Sequence, residues 1–146
     1  MPTIWTIGYE TLMPEPLVAE LVAARVQRLI DVRFRPQSRR PGMSKTRLAA
    51  RLHEAGIVYE HRRELGTPPD LRWLYKAGRI DEGASGYRRH VEEHAGGELD
   101  ALAAELDDPG TRTALLCLEA DPAACHRRVI TEALARRRPG LTVVDL

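Results

Sequence analysis

The sequence predicts a single-domain α/β fold over residues 1–146, a mostly parallel sheet with helices on both faces in a Rossmann-like three-layer arrangement. Three observations lead there. Short unbroken apolar runs alternate with longer amphipathic segments, the pattern of strands buried on both faces and of the helices that cover them. One stretch, Thr113 to Leu134, reads directly as strand, sharp turn and helix. The length suits one core rather than two.

In chain order, Thr3 to Ile7 is the first expected strand, and it ends at Gly8, where the backbone can turn freely. Pro14-Glu15-Pro16 opens a helix whose apolar face is Leu17, Val18, Leu21 and Val22. Arg28 to Val32 is a second buried strand. After it, Arg33, Arg35, Arg39 and Arg40 are interrupted by Pro36, Pro41 and Gly42, so they sit on a stiffened loop rather than a helix. Ser44 is placed to cap a helix carrying Leu48 and Leu52 and stopping at Gly56, before a third strand at Ile57 to Tyr59. From Leu65 to Gly86 no period is clear, which predicts an irregular lobe able to cover a site. Tyr87 to Leu106 is expected to be helical with a break at Gly96-Gly97. Asp108-Pro109-Gly110 is read as a turn. Ala114 to Leu118 is a strand, and Asp121-Pro122 signals a helix that runs to about Arg137 with Val129, Ile130, Ala133 and Leu134 inward. Leu141 to Val144 closes the chain as a last strand.

Composition narrows the function classes. Lysine plus arginine number 22 against 21 acidic residues, so the formal charge of +1 gives no bulk attraction to nucleic acid or membrane, and any basic site is local. Only Lys45 and Lys76 are lysines; the other basic residues are arginines, suited to planar contacts with phosphate or carboxylate. No apolar segment has the length needed to cross a bilayer. The N-terminal MPTIWTIGYE lacks the charged start and apolar core of a signal peptide, so the mature chain is expected to begin here, in the cytoplasm. Two cysteines do not make a disulfide framework, and in a reducing compartment Cys117 and Cys125 are expected to be free and unlinked.

In parallel sheets the ligand crevice lies at the carboxyl ends of the strands. Those ends deliver Gly8 and Tyr9, then Asp31 and Arg33, then Glu60 and His61, then Cys117 and Glu119. A helix starting at Pro122 adds Cys125, His126, Arg127 and Arg128 in its first turns, where free N–H groups and positive charge favour an anion or a thiolate. The candidate catalytic residues are Cys117 and Cys125 as nucleophiles and Glu119 and Asp31 as acid or base. Gly8, Tyr9, Arg33, Arg39, Arg40, His126 and Arg127 are the candidate ligand-binding residues, with Arg33 and Arg127 as direct contacts to an anion. The competing arrangement is an internal pair of Arg33 or Arg127 with Asp31, Glu119 or Asp121, which would hold the turn together without a ligand. No cofactor is expected. No metal site is expected either: the spacing of Cys117, Cys125 and His126 matches no common zinc pattern, and adjacent residues on a helix diverge by about 100 degrees.

The motifs TIGY at 6–9, Asp31-Val32-Arg33 with SRRP at 38–41, Leu65-Gly66 and the C-x-E-x-D-P-x-x-C-H-R run from Cys117 to Arg127 together resemble the domain of unknown function 488 (DUF488) family. This resemblance spans nearly the whole chain, and its last motif is the specific one. It implies a single α/β domain of a bacterial or archaeal cytoplasm whose motif residues form the candidate site, and it brings no activity with it. Family members more often carry TIGH-S at the first strand end, where this chain has Tyr9. A looser likeness at the level of the fold is to rhodanese-like domains, in which a strand ending in DVR precedes one ending in a catalytic cysteine, here Cys117. Those enzymes carry an arginine about six residues after the cysteine, where this chain has Ala123.

The expected function is an enzyme acting on an anionic small molecule or nucleotide-like group at the carboxyl edge of the sheet. The alternative is a non-catalytic module that binds phosphate or nucleic acid, in which Arg33 to Arg40 contact phosphates.

Overall fold

In the computed structural model, residues 2–108 and 110–146 are described. Five strands, β1 (Thr3–Gly8), β2 (Arg28–Asp31), β3 (Val58–His61), β4 (Thr113–Cys117) and β5 (Thr142–Asp145), form one sheet in the order β3-β2-β4-β1-β5. Every pairing is parallel. The first and second strands therefore flank the fourth, and these three form the buried interior of the sheet. β4 lies at the centre of the sheet and is buried along its whole length.

Residues of β4 alternate between two cores. Leu115 and Cys117 pack with Tyr87 and Val91 of α4 (Ile80–His94), Leu99 and Leu102 of α5 (Gly96–Glu105), and Val129, Ile130 and Leu134 of α6 (Arg127–Arg137). Ala114 and Leu116 face the other way, onto Leu17 and Leu21 of α1 (Pro14–Ala23) and Leu48 and Leu52 of α2 (Lys45–Glu54). The result is three layers. Each fully buried leucine among these contributes on the order of 1.5–3 kcal/mol. The connection after β1 leaves toward one face and that after β4 toward the other. Since Gly8 and Cys117 are paired in register, a crevice opens between two diverging loops at the carboxyl edge.

Two expectations need correction. Residues 65–86 are not irregular: α3 (Pro69–Lys76) and the first half of α4 occupy them, joined through Gly78 with φ of +79°. The helical period was hidden because Gly83 and Gly86 stand where apolar side chains would be expected. Their missing Cβ atoms let the Tyr75 ring and Leu71 approach α4 closely. The second correction concerns Asp121-Pro122. Asp121 does cap, accepting the Ala123 N–H at 2.9 Å, but it starts a single 3-10 turn at Pro122–Ala124. Cys125 is then extended, with φ of −138° and ψ of 150°, and the α-helix begins only at Arg127. The break between α4 and α5 falls at Ala95, one residue before Gly96-Gly97. Of the expected turn at 108–110, Pro109 lies outside the described residues, as does Met1. No helix among the described residues is long and apolar enough to cross a membrane.

Candidate functional site

The extended conformation of Cys125 decides the site. A helix running on from Pro122 would carry that side chain away; instead the chain folds back over the end of β4, and the sulfur of Cys125 meets that of Cys117. The structure joins them in a disulfide, with Cα atoms 7.4 Å apart, which corrects the expectation of two unlinked thiols. Glu119, half-buried in the turn between them, lies close enough that one carboxylate oxygen and both sulfurs are all within 4.8 Å of one another.

Arg127 closes the turn from below. Its side chain is fully buried. One terminal nitrogen lies 2.9 Å from the Cys117 sulfur and donates to the Glu119 carbonyl at 2.6 Å, and the other donates to the Ala120 carbonyl at 3.0 Å. Among the described residues its Nε has no hydrogen-bond partner and no carboxylate stands within ion-pair distance. Burial accordingly lowers its pKa. Gly8 makes room for this arrangement. A methyl group there would overlap the Glu119 carbonyl and the Arg127 guanidinium.

Arg33 is bound differently. Its Nε and one terminal nitrogen donate to the two Asp31 carboxylate oxygens at 2.9 and 2.7 Å, and the other terminal nitrogen donates to the Met43 carbonyl at 2.8 Å and reaches the Tyr9 hydroxyl at 3.4 Å. Asp31 also accepts the Arg33 backbone N–H and the Tyr59 hydroxyl. Burial alone would lower the Arg33 pKa, but the hydrogen bonds and charge of Asp31 outweigh it and raise the value. Burial, then the Asp31 charge, raises the Tyr59 hydroxyl, which therefore stays a donor. Of the loop arginines, Arg40 donates to the carbonyls of Tyr9, Glu10 and Leu12 and pins the first loop. Arg39 is not part of the crevice; it lines a shallow surface with Ser38, Lys45 and Arg47.

His126 immediately precedes α6, makes no side-chain capping bond to it and is buried. Its Nε2 is 2.8 Å from the Val32 carbonyl, which can only accept, so Nε2 carries the proton and Nδ1 turns its lone pair toward the Cys125 sulfur at 3.6 Å. Burial is the main force pushing its pKa down, to about 4, with the Arg72 and Arg127 charges acting the same way against the hydrogen bond to Val32. The ring is neutral at pH 7. Burial raises the Glu119 pKa, opposed by a backbone hydrogen bond and by the charges of Arg72 and Arg127.

A narrow cleft of about 20 Å³ runs over this turn, lined by Arg33, Phe34, Thr67, Arg72, Tyr75, Cys117, Glu119, Cys125 and His126. The predicted Cys117, Glu119, Cys125, His126 and Arg33 thus meet in one place. Asp31, Tyr9, Gly8 and Arg127 stand behind them as supports. Thr67, Arg72 and Tyr75 were not anticipated. Among the described residues the Thr67 hydroxyl, on a residue 4% exposed, and the Tyr75 hydroxyl, on one 9% exposed, have no hydrogen-bond partner. Burial lifts the Tyr75 pKa to about 12, so that hydroxyl is neutral. Arg72, one turn before Tyr75 on α3, makes no side-chain hydrogen bond or ion pair with the described residues, yet its charge is felt at Glu119 and His126. Buried polar groups are nearly always satisfied. Two buried hydroxyls without a hydrogen-bond partner among the described residues thus line the same cleft as the Arg72 guanidinium.

The family model described as "Domain of unknown function DUF488" matches residues 14–134. No curated protein and no solved structure matches the chain.

Proposed function

The chain belongs to the DUF488 family, and we propose that it is an enzyme acting on a small anionic or nucleotide-like substrate in the cleft at the carboxyl edge of its sheet. Arg72, Thr67 and Tyr75 anchor the anion at the outer wall. The reduced Cys117, with Cys125 and Glu119 beside it, supplies the reacting groups at the inner wall.

One observation carries this reading: a buried Arg127 without a carboxylate partner holds an N–H 2.9 Å from the Cys117 sulfur. A guanidinium removed from water needs a compensating negative charge. Reduction of the disulfide offers one, a thiolate at Cys117, which is both a nucleophile and a partner for Arg127. Glu119 stands within reach to move a proton. Arg33 and Asp31, committed to each other, act as scaffold rather than as substrate contacts.

The test is calorimetric titration of the reduced protein with inorganic phosphate and with adenosine monophosphate. The wild type is expected to bind at least one of them, and Arg72→Ala to weaken that binding by about 10- to 100-fold, the worth of a charge-assisted hydrogen bond, with little change in melting temperature. Cys117→Ser should keep the binding and lose turnover of a small phosphate ester. Binding untouched by Arg72→Ala contradicts the placement. A second reading, a non-catalytic phosphate or nucleic-acid module, draws on the exposed surface formed by Arg39, Lys45 and Arg47, which no carboxylate lines.

A further inference from the structure

We infer that in the reduced protein Cys117, Cys125 and Glu119 bind one divalent cation of the zinc class, with an open coordination position facing the cleft. Three donor atoms, two sulfurs and a carboxylate oxygen, already lie within 4.8 Å of one another, and all three residues line the cleft. The backbone keeps the cysteine Cα atoms 7.4 Å apart, wider than the roughly 4.4–6.8 Å that most disulfides span. Once reduced, the sulfurs therefore have room to part to the separation of about 3.8 Å that two ligands of one tetrahedral zinc ion keep. The divergence expected of neighbouring helical residues does not arise, because Cys125 is extended and precedes the helix.

The donor chemistry selects the ion. Magnesium and calcium take oxygen ligands, whereas a pair of thiolates with one carboxylate favours zinc and its close relatives. Three protein ligands and one free position is the pattern of a zinc ion that works on a substrate rather than one that only holds a fold. The surroundings fit as well. Arg127 donates an N–H toward the Cys117 sulfur, as an outer-shell group does to a coordinated thiolate, and the dication would balance the three negative charges that reduction gathers in a buried place. The disulfide has no thiolates to offer, so the ion binds only the reduced protein. The inference deepens the reading of the cleft as an active site and rests on it for the use of the ion, though not for its binding; in the metal-bound form Cys117 and Glu119 serve as ligands, and their roles as nucleophile and proton carrier belong to the metal-free reduced protein.

The experiment starts from protein reduced with a phosphine, stripped of metal by a chelator and kept free of oxygen. Cobalt(II) is titrated in, followed by zinc. One equivalent of cobalt should give sulfur-to-cobalt charge-transfer absorption with the visible bands of a tetrahedral site, and one equivalent of zinc should erase both. Cys117→Ser and Cys125→Ser should lose the charge-transfer band of the stoichiometric complex. Glu119→Gln, a change at a half-buried turn residue that leaves folding intact, should weaken affinity at least about tenfold. Protein left as the disulfide should take up no cobalt. Absence of the band in reduced wild type, or its persistence at full strength in Cys125→Ser, overturns the inference. Phosphate calorimetry on the metal-free protein separates the two claims. Phosphate binding without cobalt binding removes the metal and spares the cleft, while cobalt binding without any anion binding does the reverse.

Discussion

Arg33, Arg72 and Arg127 line or back the cleft at the carboxyl edge of the sheet, and their partners give them different work. Arg33 is paired with the carboxylate of Asp31, both of them buried. Among the described residues Arg127 is buried among carbonyl oxygens and a sulfur with no carboxylate in ion-pair range, and Arg72 has no side-chain hydrogen-bonding partner. Which arginine plays which part was not legible in the sequence. The DVR motif places Arg33 beside Asp31 on the chain, but whether the side chain turns back to Asp31 or outward to a ligand depends on Tyr59 and the Met43 carbonyl, which arrive from other elements. Arg72 gave no signal at all, being one of two arginines in a segment without clear period. Breaking a buried ion pair leaves the surviving charge uncompensated, at a cost of about 3–5 kcal/mol. Arg33→Ala should therefore lower stability by about that amount in urea denaturation, while phosphate binding by the protein that remains folded stays near the wild-type level. A fold of unchanged stability that had lost phosphate binding would make Arg33 a ligand contact instead.

At the scale of elements, the three inner strands were the most legible part of the chain, because burial on both faces of a parallel sheet leaves unbroken apolar runs. The turn after β4 was legible in its residues but not in its shape. Asp-Pro is a sound start signal for a helix, and here it yields one 3-10 turn before Cys125 extends, so the cap was rightly placed and the helix wrongly continued. A further group of charges ties elements together away from the cleft. Glu105 at the end of α5 accepts from Arg28 of β2 at 2.6 Å and from Arg62, just past β3, at 2.7 and 3.0 Å. The hydrogen bond from Arg62 is the main cause of a lowered Glu105 pKa; burial opposes it and Arg28 adds to it. A carboxylate whose folded pKa is depressed contributes stability that is present above its ordinary pKa and lost as pH falls through the folded value. The pair is partly exposed, so the contribution is small. Glu105→Gln should cost about 1 kcal/mol at pH 7 and should flatten the loss of stability below pH 5 in urea midpoints measured down to pH 3. Equal acid limbs for wild type and variant would show that this carboxylate is not linked to folding.

For the whole molecule, the strand order β3-β2-β4-β1-β5 brings residues far apart in sequence to one edge. The end of β4 and the start of α6 give the inner wall of the cleft, and α3 with the segment before it gives the outer wall. The inner wall was readable because its residues lie within one motif of eleven, Cys117 to Arg127. The outer wall was not, since Thr67, Arg72 and Tyr75 come to line the cleft only when α3 folds against α4 over glycines. The central claim is that a small anion sits between these walls and not on the basic loop. Amide chemical-shift mapping of the reduced, isotope-labelled protein with inorganic phosphate tests that most directly. Saturable shifts gathered at Thr67, Arg72, Tyr75, Glu119 and Cys125 are the predicted result; shifts confined to residues 37–47, with the cleft amides unmoved, would contradict it.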